Sequence, residues 1–420
     1  MMNRNATSRP KPAPTVCRLS FVALLLAAAA PADGQTLARP GWTASGFNAD
    51  PWWKHAVFYE VKPDTGAIAY VGPAPPSPTE WLKKPATISA KLDELQSIGV
   101  DALILPAPAR QTTPDPQDSF DELMPQASRR GIHILLTIPA SSADGDLMAK
   151  ARSWLSRGVS GFYVTASPQT DPTDRQLVVG LLHKVASVQV GGRIVLADLP
   201  TDVDEVSDRR HVAASPSARA ENRASLQLEV DARESLPDVP NATSLRHLLE
   251  EEPSDATVLV DLQQPASDST DPYASLWKTI AAMALTTHPA ALIDADAQLS
   301  GSNDVASTTL VDWYRQLIGL HRGNATLRYG SATALNFDRE NALVWVSRAS
   351  AGTGLAAPVV VACNLSSSPI YLSLGAAMRG LNLHGSFLRT LLRDDSGMGP
   401  QDLNSVMVPA YGVYVGELHR

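Results

Sequence analysis

Between residues 88 and 165 the apolar positions repeat one pattern three times: an amphipathic helix pattern ends in glycine, and an apolar run follows at once. The runs do not alternate between apolar and polar residues, so they are typical of parallel strands buried on both faces. The third run ends at Thr165, and we expect Thr165 at the carboxyl end of its strand, where a βα barrel carries its chemistry. The three units end their helices at Gly99, Gly131 and Gly158.

The rest of the pattern predicts further strands and helices up to about residue 326. Strands are predicted at 52–61, 193–198, 224–231, 256–262 and 289–294, and helices at 174–185, 244–251, 276–285 and 310–322. Ser119 and Glu122 have the spacing of a capping box, which predicts the start of the second helix. Together with the three repeated units, these elements predict a (β/α)8 TIM barrel, an α/β fold, over residues 51–326.

Beyond residue 327 the pattern changes to short, alternating segments with turn signals and no helix. Such segments predict a small C-terminal antiparallel β-sandwich domain over 327–420. Its predicted strands are 332–337, 342–348, 358–365, 370–374, 386–392 and 405–415.

The N-terminal segment has the form of a signal peptide, residues 1–34, followed by a lead-in over 35–50. Four cations precede the apolar run 19–30, and Ala30-Pro31-Ala32 is a small-residue cleavage site. The run is shorter than a bilayer span, so we expect a secreted or periplasmic protein, with a retained anchor as the alternative. No other membrane span is expected, and Cys363 alone remains beyond this segment, which excludes an intrachain disulfide in the mature chain.

Composition narrows the classes of partner. The 420 residues carry a net charge of −8, which does not favour nucleic acid. The nine histidines show no metal-ligand spacing, so we expect no metal and no cofactor. The sequence leaves the oligomeric state open.

Several of these segments also resemble a known family. The segments WWKHAVFY (52–59), KLDELQSIGVDAL (91–103), RGVSGF (157–162) and LIGLHR (317–322) resemble scaffold motifs of the alpha-amylase family of glycoside hydrolases, glycosyl hydrolase family 13. The resemblance runs from about Pro51 to the C-terminus and implies a (β/α)8 barrel with a C-terminal sheet domain. It implies a retaining mechanism with two carboxyl groups about 5 Å apart.

The catalytic positions depart from that family. By the resemblance, Thr165 stands where the family has its nucleophile, Tyr163 stands for the arginine beside it, and Gln263 replaces the third carboxylate. The acid/base position falls on Asp198. Thr137, Ser141 and Ser142 replace family residues after the third strand, and the domain usually inserted there is missing. In this the chain is similar to the catalytically silent ectodomains of amino-acid-transporter heavy chains.

Two hypotheses follow. In the first, the chain is an inactive homologue that binds a glycan or a protein at the barrel's carboxyl face. In the second, it is a divergent glycoside hydrolase acting on α-glucosidic bonds, with Asp198 as acid/base. Five aspartates at strand ends either form an acidic pocket or cap helices and turns. Capping preferences favour the role as helix and turn caps. With Tyr163, these candidate binding residues are Asp198, Asp231, Asp261, Asp294 and Asp296.

Overall fold

The computed structural model describes part of the chain, and the residues from 50 onward form one compact unit. The predicted signal peptide and lead-in lie outside the described residues, as do the side chains at 198, 226–231, 258–262 and 294. The described ranges are 51–61, 82, 85–107, 116–141, 146–165, 171–189, 192–198, 226–231, 241–250, 258–262, 276–287, 290–294, 305–335, 339–349 and 356–420.

Eight parallel strands close into a barrel in sequential order, and β1 pairs with β8 to complete it. This confirms the predicted (β/α)8 barrel. The strands are β1 Val57–Glu60, β2 Ala102–Pro106, β3 His133–Pro139, β4 Gly161–Thr165, β5 Ile194–Asp198, β6 Leu226–Asp231, β7 Val258–Leu262 and β8 Ala290–Asp294. The helices that accompany them are α1 Pro85–Ile98, α2 Pro116–Arg130, α3 Leu147–Ser156, α4 Pro172–Ala186, α5 Ala242–Glu250, α6 Trp277–Thr287 and α7 Val305–Gly323.

The three predicted helix ends share one hydrogen-bonded motif. After α1, the Val100 N–H donates to the Leu95 carbonyl at 3.0 Å, and the Gly99 N–H donates to Gln96 at 3.1 Å. This is the Schellman pattern, which needs positive φ at the glycine. The φ angles of Gly99, Gly131 and Gly158 are 103°, 74° and 103°. The same pair of bonds ends α2 and α3.

Two sets of apolar side chains form the barrel core. One fills the barrel interior, and the larger one lies between the strands and the surrounding helices. In α1 the buried positions Ile88, Leu92, Leu95 and Ile98 follow the helical period, so one face of the helix packs on the barrel. The interior set is Ala56, Phe58, Ala102, Ile104, Leu135, Tyr163, Ile194, Leu196, Ala290 and Leu292.

The C-terminal region holds a six-stranded and a two-stranded antiparallel sheet with an apolar cluster between them, as predicted. The large sheet has the order β14-β13-β16-β11-β10-β9, and β12 pairs with β15. The elements are α8 Ala325–Tyr329, β9 Ser331–Leu335, β10 Ala342–Arg348, β11 Val359–Asn364, β12 Ile370–Leu372, α9 Gly375–Gly380, β13 Phe387–Arg393, β14 Pro400–Asp402, β15 Val406–Val408 and β16 Val413–His419.

Four predictions of local structure are wrong. Trp52–His55 form a 3-10 helix and not the start of β1, because the Lys54 and Ala56 N–H groups bond to carbonyls three residues back. Helix α2 begins at Pro116, a residue favoured in the first turn, so Ser119 lies inside it and is not the cap. A short helix, α9, occurs where no helix was predicted, and 405–415 divides into β15 and part of β16.

Candidate functional site

Strand β4 ends at Thr165, and the residue is half-buried at the carboxyl end of the barrel. Its carbonyl accepts a bond of 2.8 Å from the Ala140 N–H, which ties the end of β4 to the turn after β3. Within the described part of the chain, no base contacts the Thr165 hydroxyl. A threonine hydroxyl needs an adjacent base to act as a nucleophile.

Tyr163 lies two residues earlier on the same strand and belongs to the apolar set inside the barrel. Only 3% of its surface is exposed. Its register partners are Thr137 on β3 and Leu196 on β5. The predicted binding residue therefore fills the barrel interior and offers little surface to a ligand.

The backbone of β5–β8 brings several acidic positions together in register. Asp198 on β5 pairs with Glu229 on β6, and Asp231 pairs with Asp261 on β7. Neighbouring strands lie about 4.8 Å apart, so the backbones of each pair are that close. The structure thus groups three of the predicted aspartates along one arc of the barrel. Gln263 and Asp296 lie outside the described residues.

This group also includes two glutamates, Glu60 and Glu229, that were not among the residues selected from the sequence. Glu60 is the last residue of β1, is 5% exposed, and is the register partner of Asp294. Glu229 lies on β6 as described above. The signal that could have found Glu60 is its place at the end of an apolar strand, the same criterion that selected the aspartates. Acidic residues thus end β1, β5, β6 and β8 and stand one residue before the end of β7, while β2–β4 end in neutral residues.

Thr137, near the end of β3, contributes a polar atom on the neutral side. The residue is 8% exposed, and its Oγ1 has no hydrogen-bond partner among the described residues. It lies in register between Pro106 on β2 and Tyr163 on β4. An unsatisfied buried hydroxyl is costly, and a ligand oxygen would satisfy it.

The connection between β3 and α3 is short. Strand β3 ends at Pro139 and α3 begins at Leu147, which leaves residues 140–146 between them. A sizeable domain is therefore not inserted at this point, in agreement with the sequence. An inserted domain after β3 therefore does not contribute to the carboxyl face of the barrel.

Metal-binding clusters and membrane-spanning helices are both absent from the described residues. Among them, no group of three His, Cys, Asp or Glu side chains is placed to hold a metal ion. In the same part of the chain, every helix is too short or too polar to cross a bilayer.

Comparison with known proteins identifies the fold. Neither the protein-family models nor the curated protein sequences contain a match to this chain. Among solved structures, the alpha-amylase of Geobacillus thermoleovorans complexed with acarbose aligns with a TM-score of 0.58 and 13% identity, covering 88% of this chain and 99% of that one. Trehalose-6-phosphate hydrolase of Bacillus licheniformis gives 0.58 and 11%, covering 88% and 100%.

A variant of the trehalulose synthase MutB gives a TM-score of 0.57 and 12% identity over 88% of this chain and 100% of that one. Identities this low show the fold and nothing finer. The sequence resemblance predicted the same architecture from its scaffold segments. The chain therefore has the fold of the alpha-amylase family of glycoside hydrolases, a (β/α)8 barrel followed by antiparallel C-terminal sheets.

Proposed function

We propose that this chain binds a saccharide with α-glucosidic linkages at the carboxyl face of its barrel and does not hydrolyse it. The observation that carries the proposal is the end of β4. There Thr165 has no described base beside it, and Tyr163 is buried inside the barrel. These are the positions where the family resemblance expects the nucleophile and its arginine. Retaining hydrolysis needs a carboxylate nucleophile.

The choice of a saccharide rests on two supports. Of the proteins of the same fold named above, one is an alpha-amylase complexed with acarbose and another is a trehalose-6-phosphate hydrolase. In addition, the barrel mouth has acidic positions on one side and the unpartnered Thr137 hydroxyl on the other. Carboxylates accept hydrogen bonds from sugar hydroxyls, and a threonine hydroxyl both donates and accepts.

We further propose that the mature protein begins after residue 34 and acts outside the cytoplasm.

The binding experiment uses maltotriose and purified residues 35–420, with calorimetry as the readout. Thr137→Val removes only the hydroxyl, and we expect the Kd to rise about 3- to 10-fold, the worth of one hydrogen bond. Because the buried hydroxyl is unpaired among the described residues, its removal costs no hydrogen bond, and the variant should melt at or above the wild-type temperature. Thr287→Val, in which the lost hydroxyl bonds its own helix at Met283, is the matched control. Equal affinity of wild type and Thr137→Val would contradict the proposal.

A divergent hydrolase is the second candidate function, and the paired registers of Asp198 with Glu229 and of Asp231 with Asp261 favour it. Two carboxyl groups about 5 Å apart suit a retaining mechanism, and about 6.5–9.5 Å an inverting one. Hydrolysis of α-glucosides and α-glucans by the wild type and by Asp198→Ala separates the two candidates. Turnover that this substitution abolishes would establish the hydrolase. We expect no turnover above that of the variant.

A further inference from the structure

A cavity of about 640 Å³ that is open to solvent lies in the C-terminal region, outside the barrel. Its walls come from the end of β10, the residues before β11, the segment before β13 and the end of β16. A volume of this size is in the range that holds small-molecule ligands. None of the barrel strands contributes to it, so it is separate from the site described above.

The walls combine cationic and apolar side chains. Arg348, Arg420, His384 and His419 supply guanidinium and imidazole groups, and Leu418, with a proline and three alanines, supplies apolar surface. Among the described residues, no aspartate or glutamate lines the cavity. Residues 350–355, which connect two lining residues, lie outside the described part of the chain. The described walls therefore favour an anionic group on an apolar body.

The backbone around the cavity is held by the sheet. Arg348 ends β10 in register with Ser331, and its guanidinium lies 3.5 Å from the Thr333 hydroxyl. The Leu418 N–H donates to the Pro358 carbonyl at 2.9 Å, which joins two walls directly. Side chains carried on such paired strands are positioned before a ligand arrives, which lowers the entropic cost of binding.

His419 is also fixed in place. Its ring stacks on Phe387 with centroids 5.6 Å apart and planes 16° apart, and its Nε2 lies 3.4 Å from Glu417 Oε2. Glu417 forms a salt bridge with Arg389. Although burial opposes it, this contact and the one with His419 keep the pKa of Glu417 below its ordinary value. The Glu417 carboxylate is thus already paired with Arg389, a cation outside the cavity.

We propose that this cavity binds a small oxyanion ester, with its phosphate or sulfate group at Arg348 and its apolar part against Leu418. A guanidinium forms two parallel hydrogen bonds to such an oxyanion, and these charge-assisted bonds are stronger than neutral ones. The proposal does not depend on the function of the barrel mouth.

The test measures binding of phenyl phosphate to the full chain by calorimetry. Phenyl sulfate, inorganic phosphate and phenol are the other probes. Phenyl sulfate tests the identity of the anion, inorganic phosphate the anion without the apolar part, and phenol the apolar part without the anion. We expect both esters to bind, and inorganic phosphate and phenol to bind at least about 10-fold more weakly because each lacks half of the contacts. No binding of either ester at about 5 mM would overturn the proposal.

Substitutions then locate the site. Arg348→Gln should weaken phenyl phosphate about 10-fold through loss of charge-assisted bonds. His384→Glu, at an exposed position where folding is not at risk, should weaken it by as much through repulsion. Arg379→Gln makes the same charge change on exposed α9, outside the cavity, and should leave the affinity unchanged. Wild-type affinity in both cavity variants, with unchanged circular dichroism, would contradict the assignment.

Discussion

Trp52 stacks on His133 at the N-terminal end of the barrel, with ring centroids 3.7 Å apart and planes 12° apart. The indole Nε1 donates to the Gly192 carbonyl at 2.9 Å, and His133 Nδ1 lies 3.1 Å from Ser160 Oγ. The stack connects the 3-10 helix to the start of β3 and to the residue pair before β5. It thus covers the barrel at the end opposite the candidate site.

This stack makes the stability of the fold depend on pH. Burial, together with the nearby Arg193 charge, lowers the pKa of His133 from 6.5 to about 4. The unfolded chain therefore binds a proton at a higher pH than the folded one, so the free energy of unfolding falls as the pH decreases from 6.5 to 4. We expect a loss of about 2 kcal/mol over this window for the half-buried ring.

Urea unfolding of wild type and His133→Phe at pH 7 and pH 4.5 checks this. Phenylalanine keeps a ring against Trp52 but does not titrate, so the variant should lose less stability on acidification. His384→Gln removes an exposed histidine and should follow the wild type. A pH dependence of His133→Phe equal to that of the wild type would show that other groups cause the acid sensitivity.

Gly161 at the start of β4 is required by a close approach of two strands. A Cβ atom there would lie 2.2 Å from the Ile194 carbonyl oxygen, whereas one at Gly180 on the exposed side of α4 would meet nothing within 4 Å. We expect Gly161→Ala to cost at least about 2 kcal/mol by forcing β4 and β5 apart. Gly180→Ala, the same chemical change, should add about 0.5–1 kcal/mol, since alanine favours the helix. Chemical denaturation measures both, and equal effects would contradict the clash.

The sequence predicts the barrel well because its signals are local and repeated. Each Schellman motif needs a glycine directly after an apolar helical face, and Gly99, Gly131 and Gly158 all satisfy this. The error at Trp52–His55 has the opposite origin. Its aromatic and apolar letters fit a strand, but bonds to carbonyls three residues back close a 3-10 turn that packs its tryptophans against the barrel interior.

The candidate site is predictable only in part. Thr165 and the aspartates are found from the sequence because the end of each apolar run marks the end of its strand. Which residues become neighbours depends on register between strands, and the pairing of Asp198 with Glu229 cannot be read from their separation in sequence. The burial of Tyr163 inside the barrel likewise results from neighbours on β3 and β5.

Lys278 and Asp394 connect α6 of the barrel to the C-terminal sheet. Their Nζ and Oδ2 atoms lie 3.2 Å apart, and the ammonium also lies 5.8 and 5.7 Å from the ring centroids of Trp277 and Trp313. Burial raises the pKa of Asp394, although Lys278 opposes it. We expect Lys278→Met to cost about 3 kcal/mol at pH 7, because it leaves a buried carboxylate without its cation.

The double variant Lys278→Met/Asp394→Asn tests the cause. With no charge left to desolvate, it should recover most of that loss, which urea unfolding of all four members of the cycle would show. A double variant as unstable as Lys278→Met alone would mean that packing of the lysine stem, and not the ion pair, dominates this contact.

Tyr163 and Thr165 stand at the positions where the family resemblance expects an arginine and the nucleophile beside it. Both side chains lie on the same face of β4, two residues apart, and Tyr163 sits among apolar side chains. Tyr163→Arg alone should cost about 3–5 kcal/mol, because it places a guanidinium among the apolar side chains of the barrel interior. Adding Thr165→Asp should recover part of that loss by pairing the charge, whereas adding Thr165→Asn, of equal size but neutral, should not. Thermal and urea unfolding of the three variants measure the difference, and equal stability of the two double variants would show that the two positions do not interact.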